Sequence, residues 1–164
     1  MGLIKVGILS DTHVRKGRFL PSIVWENIAD ADLIMHAGDI GSKTLLEDLE
    51  LIAPVVAVRG NGDFLIPGLP EKKIHKIGGL KVGLVHGDQG KGKNALERAY
   101  NTFRDHDLDL IIFGHSHIPI KKTVNGLLLF NPGSPTVKRG QKYHSLGILT
   151  IQADSFDIRH VYFP

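Results

Sequence analysis

The chain has 164 residues, of which 42% are hydrophobic and 23% are charged, proportions that are ordinary for a soluble globular protein. A chain of this length fits one domain, residues 1–164, whose hydrophobic core is large enough to fold without added cross-links. The absence of cysteine excludes disulfides and thiolate-bound zinc. No apolar run approaches the ~20 residues that span a bilayer, and the net charge of +3, with lysines spread along the chain, gives no indication of a nucleic-acid partner.

The first residues, MGLIKVGILSDTH, predict a strand rather than a leader, since Lys5 interrupts the apolar run and no cleavage site follows. We therefore expect a cytoplasmic protein. Further apolar runs that end in turn residues also predict strands. In chain order they are DLIMHAG, PVVAVRG, LKVGLVHG, LDLIIFG, LLLFNPG, LGILTIQ and FDIRHVYF.

Helical spacing occurs in three segments, approximately residues 21–31, 42–51 and 94–105, and Ser42 and Asn94 are plausible N-caps for the last two. The stretch EKKIHKIGGLKVGLVH has two glycines between alternating runs and predicts a β-hairpin, so the sheet cannot be purely parallel. An early βαβαβ half joined to a late antiparallel half predicts an α/β fold of two packed mixed β-sheets flanked by helices.

Side chains that can bind a metal ion follow five of the predicted strands. They are Asp11 and His13, Asp39, Asn61, His86, and the pair His115 and His117. Because ligands in α/β sheets lie at the carboxyl ends of strands, we expect these side chains to converge. Carboxylates, an amide and neutral imidazoles suit manganese, iron, zinc, cobalt or nickel. Seven such groups suit two ions about 3.5–4 Å apart with one carboxylate shared between them.

The last pair lies in LIIFGHSHIP, where His115 and His117 are one residue apart. A period of two keeps both on one face if the extended geometry continues, so both would point at one object. The alternative is a pair of core histidines, which the other motifs disfavour. His36 is expected to be a buried residue that supports the site, and the remaining histidines have no partner among the motifs.

The order of these motifs resembles that of the calcineurin-like metallophosphoesterase superfamily. The motifs are D-x-H (Asp11, His13), G-D (Gly38, Asp39), G-N-x-D (Gly60, Asn61, Asp63), H-G (His86, Gly87) and G-H-x-H (Gly114, His115, His117). NPGS at residues 131–134 resembles the small one-domain, YfcE-like phosphodiesterase group; we expect it to pack at the edge of the site without a chemical role. The resemblance implies a four-layer αββα sandwich. It also implies a binuclear, metal-dependent phosphodiesterase whose nucleophile is a hydroxide between the ions.

The resemblance further implies two ligand sets that share Asp39. One set is Asp11, His13, Asp39 and His117, and the other is Asp39, Asn61, His86 and His115. Asp39, Asn61 and His86 are the residues expected to carry catalysis. Manganese is the expected ion, with zinc, nickel, iron or cobalt as alternatives, and the expected substrate is a small phosphoester.

Two positions depart from the family pattern. Gly62 stands where the most active members have a histidine that contacts the phosphate or protonates the leaving group. General acid catalysis is typically worth about 10²–10⁴-fold, so we expect slow turnover that favours esters with stable leaving groups. Asp88 stands where relatives often have a histidine, and its charge would repel a phosphate.

There are two alternative interpretations of function, one for a single glycine-rich loop and one for the whole chain. GDQGKGKN nearly matches a P-loop, but Asn94 lacks the hydroxyl that magnesium needs and LDLIIF ends in Gly114 rather than an aspartate, so we favour a flexible loop before a helix. Lys91 and Lys93 there could help to attract a phosphate. A non-catalytic scaffold or interaction module is the second hypothesis for function. A homodimer is the base-rate expectation.

Overall fold

The computed structural model describes residues 2–164, which form three helices and ten strands. The helices are α1 (Ser22–Ile28), α2 (Lys43–Glu50) and α3 (Ala95–Thr102). The strands are β1 (Ile4–Leu9), β2 (Leu33–His36), β3 (Val55–Ala57), β4 (Lys72–Ile77), β5 (Leu80–Val85), β6 (Leu110–Ile112), β7 (Ile120–Val124), β8 (Leu127–Asn131), β9 (His144–Gln152) and β10 (Ser155–Phe163).

Each half of the sandwich is a five-stranded mixed sheet. The first has the order β10-β9-β1-β2-β3, in which β1, β2 and β3 are parallel and β9 and β10 are antiparallel. The second has the order β4-β5-β6-β8-β7, with a parallel centre of β5, β6 and β8 between two antiparallel edge strands. The carboxyl ends of β1, β2, β3, β5 and β6 therefore carry all the predicted ligands.

The period of two along the central strands produces the layers. In β2, Leu33 and Met35 face the core between the sheets, whereas Ile34 faces α1 and α2. In β6, Ile112 faces the core between the sheets, and Ile111 packs against α3. Both faces of these strands are thus buried, as their continuous apolar runs require. The layers are helix, sheet, sheet and helix, which confirms the predicted αββα sandwich.

Several local predictions are confirmed, and one strand was not predicted. Ser42 and Asn94 cap α2 and α3 by accepting hydrogen bonds from the N–H groups of Leu45 and Glu97, and β4 and β5 form the predicted hairpin. The edge strand β7 was not predicted, because its sequence IKKTV contains exposed lysines and has no apolar run.

The two halves of the sequence do not correspond to the two sheets. The last strands, β9 and β10, return to the first sheet and extend it beside β1, because β9 is apolar on both faces and needs a fully covered position. No helix within residues 2–164 is both long and apolar enough to cross a membrane. One domain over residues 1–164 stays a prediction.

Candidate metal centre

The seven predicted ligands meet at the carboxyl ends of five strands, where the two sheets adjoin. Asp11, His13, Asp39 and Asn61 come from the first sheet, and His86, His115 and His117 come from the second. Two groups of facing donor atoms result. We call Asp11, His13 and His117 the first ligand group, and Asn61, His86 and His115 the second ligand group.

In the first ligand group, imidazole nitrogens face a buried carboxylate. His13 Nε2 and His117 Nε2 are 3.4 Å apart, and Asp11 Oδ1 is 3.5 Å from His117 Nε2 and 4.0 Å from His13 Nε2. Two ligands held about 2.1 Å from one ion lie about 3.0–3.4 Å apart at octahedral or tetrahedral angles. The separation of the two imidazole nitrogens fits a shared cation.

In the second ligand group, an amide oxygen faces two imidazoles. Asn61 Oδ1 is 3.0 Å from His86 Nε2 and 3.2 Å from His115 Nδ1, and these two nitrogens are 3.3 Å apart. All three separations fall in the range expected for ligands of one ion. Asn61, which alone would be only a turn residue, therefore lies where a metal ligand is needed.

Asp39 lies between the two groups. Its Oδ1 accepts a hydrogen bond of 2.7 Å from the Gly62 N–H, which leaves Oδ2 directed inward. Asp39 Oδ2 is 3.5 Å from His86 Nε2 and 3.7 Å from His13 Nε2, so it reaches both groups. Asp11 Oδ1 also comes within 3.8 Å of His86 Nε2, so either carboxylate could be shared.

The hydrogen bonds around the centre suit a cation. Asp11 Oδ2 accepts from Ser10 Oγ and from the His115 N–H, but the buried Asp11 Oδ1 has no hydrogen-bond partner within the described residues. The Nδ1 atoms of His86 and His117 contact the carbonyl oxygens of Ala37 and Val137. If Nδ1 carries the proton and donates it there, Nε2 keeps a lone pair directed inward, the usual arrangement of metal-binding histidines. The residues therefore fit divalent metal ions.

Proton binding at the centre is strongly coupled. Burial raises the pKa of Asp11 to about 6. Burial alone would lower the pKa of His86, but the Asp39 and Asp11 carboxylates raise it to about 9. Burial would also raise the pKa of Asp39, but His86 and the Gly62 N–H hold that pKa below its usual range. A cation that binds here displaces the proton of His86, because metal ligands must be deprotonated.

Backbone conformation is unusual at five of the seven positions. The φ angles are 54° at Asp11, 47° at His13, 55° at Asp39, 73° at His115 and 62° at His117. Left-handed conformations cost non-glycine residues about 1–3 kcal/mol each and persist only where surrounding contacts impose them. They cluster at functional sites more often than elsewhere.

These angles correct the prediction for LIIFGHSHIP. The strand β6 ends at Ile112, and both His115 and His117 are left-handed, so the extended geometry does not continue. His115 contacts Asn61 and His86, whereas His117 contacts His13 and Asp11. The two histidines serve different ligand groups because the turn rotates them apart.

Asp63 holds the loop that carries Asp39, a role the sequence analysis did not assign. Its Oδ2 accepts from the N–H groups of Asp39 and Gly60, both at 2.8 Å, and its Oδ1 accepts from the Ile40 N–H at 2.9 Å. The side chain is buried, with 1% of the residue exposed. The motif G-N-x-D contained this residue, but nothing in one sequence indicates that its carboxylate faces backbone rather than metal.

The NPGS segment holds the other side of the centre. Ser134 Oγ donates to the Asp11 carbonyl oxygen at 2.8 Å and accepts from the Val137 N–H at 2.8 Å. Asn131 Nδ2 donates to the Gly114 carbonyl oxygen. The segment therefore fixes the loops of Asp11 and His115 without contributing a ligand, as expected.

His36 is fully buried behind the centre. Its Nδ1 accepts from the Gly38 N–H, and its Nε2 contacts Thr12 Oγ1 at 2.9 Å. Burial, helped by the positive charge of His86, lowers the pKa of His36 to about 3. His36 is buried behind the ligands, as expected, and its lowered pKa keeps it neutral at pH 7.

A cavity of about 390 Å³ opens beside the first ligand group. Its lining residues, which we call the arginine cavity, are His13, Arg15, Arg18, His117, Val137 and Arg139. Burial is the main cause that lowers the pKa of His13, and the charges of Arg139 and Arg15 lower it further. The metal centre therefore borders a strongly positive surface.

Known proteins with similar sequences carry phosphoesterase names. The family model of the calcineurin-like phosphoesterase superfamily domain matches residues 4–154. A probable metallophosphoesterase of Methanocaldococcus jannaschii is 39% identical over 84% of this chain and 71% of its own length. A phosphodiesterase of the same organism is 29% identical over 79% of this chain and 83% of its own length.

Solved structures with the same fold include Vps29 of Entamoeba histolytica complexed with Zn²⁺. It has a TM-score of 0.79 and 25% identity, and the match covers 98% of this chain and all of that one. The family match spans all seven predicted ligands and every strand except β10, which begins at Ser155. The chain belongs to the calcineurin-like phosphoesterase superfamily.

Proposed function

We propose that the protein is a binuclear metal-dependent phosphodiesterase. The observation that carries this proposal is the spacing of the donor atoms: four ligand-to-ligand distances of 3.0–3.4 Å within the two groups, joined by Asp39. A phosphodiesterase among the sequence relatives supports the reaction class. Manganese is the proposed ion. A cytoplasmic location and a homodimeric state stay predictions.

Two divalent cations, when bound, would supply a nucleophile made from water and the positive charge that polarises the phosphoryl group. Asp11, His13, Asp39 and His117 would hold one ion, and Asp39, Asn61, His86 and His115 would hold the other. This assignment uses Asp39 as the shared ligand because the family resemblance implies it, and the position of its Oδ2 between His13 and His86 supports that choice. The Gly62 N–H keeps that oxygen inward by holding Oδ1.

Asp39, Asn61 and His86 are the proposed catalytic residues. They lie together at the centre, and two of them are held by backbone groups: Asp39 by the Gly62 N–H, and His86 by the Ala37 carbonyl oxygen. Such preorganised groups stabilise charge that develops in the transition state. At position 62 there is no side chain to protonate a leaving alkoxide, so turnover should be fastest for esters with stable leaving groups.

The direct test is an activity panel with defined metal content. Metal-free protein would be assayed on an aryl phosphodiester, an aryl phosphomonoester and cyclic nucleotides, with each candidate ion added in turn. We expect aryl diester hydrolysis that requires manganese and that chelation abolishes. Asp39→Asn should lower turnover by more than the ~10–100-fold that loss of an outer metal-site partner costs, whereas the exposed control Asp105→Asn should retain it.

The second candidate is a non-catalytic interaction module. The likeness to Vps29 favours testing it, because that protein is named for vacuolar protein sorting and not for catalysis. Metal binding without turnover on any phosphoester in the panel would favour this candidate over the phosphodiesterase. Turnover that follows metal content and disappears in Asp39→Asn would exclude it as the sole function.

A further inference from the structure

We propose that the arginine cavity binds a second phosphate group of the substrate, so that the preferred phosphodiester carries a terminal phosphate monoester beside the scissile group. This inference rests on the proposed phosphodiesterase function. It concerns Arg15, Arg18 and Arg139, to which the ligand pattern of the centre assigns no role. The cavity of about 390 Å³ is far larger than the ~10–15 Å³ that one ordered water requires.

The three guanidinium groups are exposed and available. Within residues 2–164, none of them lies within 4.0 Å of a carboxylate oxygen. Asp48 lines a neighbouring groove with Arg15 and Arg18 but forms no ion pair with either. Three positive charges exceed what a monoanionic diester needs, whereas a phosphate monoester carries about −1.5 to −2 charges at pH 7.

The chain segments that carry these arginines are fixed relative to the centre. The N–H groups of Arg15 and Arg18 donate to the carbonyl oxygens of His13 and Arg15. On the opposite side, Val137 contacts His117 Nδ1, and Thr136 Oγ1 donates to the Thr12 carbonyl oxygen at 2.6 Å. Arg139 follows that segment with a left-handed φ of 52°. Both walls are therefore built on the loops that carry His13 and His117.

The arginines lie at different depths. Arg15 is innermost, since its Nη2 is 3.8 Å from the point where a Cβ at Gly62 would lie, and that point is 3.2 Å from Asp39 Oδ1. Arg15 can therefore contact the scissile phosphate. Arg18 and Arg139 line the same cavity but are not among the three nearest neighbours of that point. This leaves Arg18 and Arg139 for an anion beyond the scissile group.

Arginine suits this role chemically. Its planar fork binds phosphate oxygens through two parallel hydrogen bonds, and it stays charged at every working pH. A charged pair of this kind changes affinity by about tenfold or more. The cavity should therefore distinguish substrates by the presence of a second phosphate and not by the identity of the leaving group.

The test compares two substrates that differ in one group. They are the p-nitrophenyl ester of thymidine 5′-phosphate and the same ester with an additional 3′-phosphate. With manganese-loaded protein, we expect kcat/KM to be at least about 10-fold higher for the second substrate. Arg18→Gln and Arg139→Gln should each reduce this ratio to about 3 or less, and the distant, exposed control Arg104→Gln should keep the wild-type ratio.

A ratio near 1 in the wild-type protein, with the simpler ester hydrolysed, would overturn the second-phosphate site and leave the phosphodiesterase function intact. An equal fall of the ratio in Arg104→Gln would overturn it too, because general electrostatics would then explain the preference. If neither ester is hydrolysed, calorimetry on metal-free protein decides the matter. Thymidine 3′,5′-bisphosphate should bind about 10-fold more tightly than thymidine 5′-monophosphate, and Arg18→Gln should abolish that difference; equal affinities would refute the site.

Discussion

Replacing Asp63 with asparagine tests whether backbone hydrogen bonds to one buried carboxylate position the shared ligand Asp39. The substitution keeps the shape of the side chain but replaces one acceptor oxygen with an NH₂ group. Oδ2 accepts from two N–H groups at 2.8 Å, whereas Oδ1 accepts from the Ile40 N–H at 2.9 Å and from the Gly41 N–H at 3.4 Å, so the least costly orientation turns the NH₂ toward Ile40 and Gly41. That orientation loses the bond from Ile40 and the longer bond from Gly41, and it places the NH₂ group against these two N–H donors in a buried space.

The expected magnitude follows from these losses. Hydrogen bonds to charged groups contribute about 1.5–3 kcal/mol, and a buried donor without a partner costs about 1–3 kcal/mol. We therefore expect Asp63→Asn to lower the free energy of unfolding by about 3 kcal/mol. The left-handed backbone at Asp39 would lose part of its support, and manganese affinity should fall about 10–100-fold, as for other partners one step from a metal.

The measurement has two parts. Urea unfolding of metal-free protein gives the stability change, and calorimetric titration with manganese gives the affinity change. Asp105→Asn removes the same charge from an exposed position and should leave both quantities unchanged. Wild-type stability together with wild-type manganese affinity in Asp63→Asn would refute the reasoning that this carboxylate positions Asp39.

Three further predictions concern residues around the centre. Gly62→His should raise turnover of alkyl diesters relative to aryl diesters by up to ~10²-fold if the imidazole protonates the leaving group. The new Cβ would lie 3.2 Å from Asp39 Oδ1, so Gly62→Ala is the control for crowding. An unchanged ratio of alkyl to aryl turnover, with manganese still bound, would count against the prediction. Because His36 has a pKa of about 3 when folded and an ordinary value of 6.5 when unfolded, the unfolded chain binds the extra proton between these values, and stability falls by about 1.4 kcal/mol for each pH unit below 6.5. Between pH 7 and pH 5, the free energy of unfolding measured in urea should fall by about 2 kcal/mol less in His36→Gln than in the wild-type protein. An equal fall in both proteins would contradict the prediction. Ser134→Ala removes the hydroxyl that donates to the Asp11 carbonyl oxygen and should lower the free energy of unfolding by about 1–3 kcal/mol. Thermal or urea unfolding would detect this loss, and an unchanged stability would argue against the importance of the contact.

Sequence patterns predicted the parts of the fold that depend on local residues. Alternating and continuous apolar runs gave the buried strands, and Ser42 and Asn94 marked the starts of α2 and α3 because their side chains can accept from the first-turn N–H groups. The edge strand β7 and the return of β9 to the first sheet were missed. The strand β7 pairs with the next strand in the chain, β8, across the two-residue turn Asn125-Gly126, so a local hairpin signal was overlooked there. The return of β9 beside β1 is decided by long-range pairing, which leaves little trace in local hydrophobic periodicity.

The candidate site also has features that the sequence predicted and features that it did not. The types and order of the seven ligand residues indicated convergence, since each follows an apolar strand whose end lies at one edge of a sheet. What the residue pattern alone could not indicate is which atoms face each other. The family resemblance implied different ligand sets for His115 and His117, and the left-handed turns at both residues produce that separation. The carboxylate of Asp63 faces four backbone N–H groups. The arginine cavity forms only when residues 15–18 and 137–139 meet.

The most direct measurement is anomalous X-ray scattering from crystals of manganese-loaded protein, recorded near the manganese absorption edge. We predict two peaks that share Asp39 as a ligand. One should lie among Asp11, His13 and His117, and the other among Asn61, His86 and His115. Saturating manganese with no peak at either position, or peaks that contact none of these side chains, would contradict this prediction.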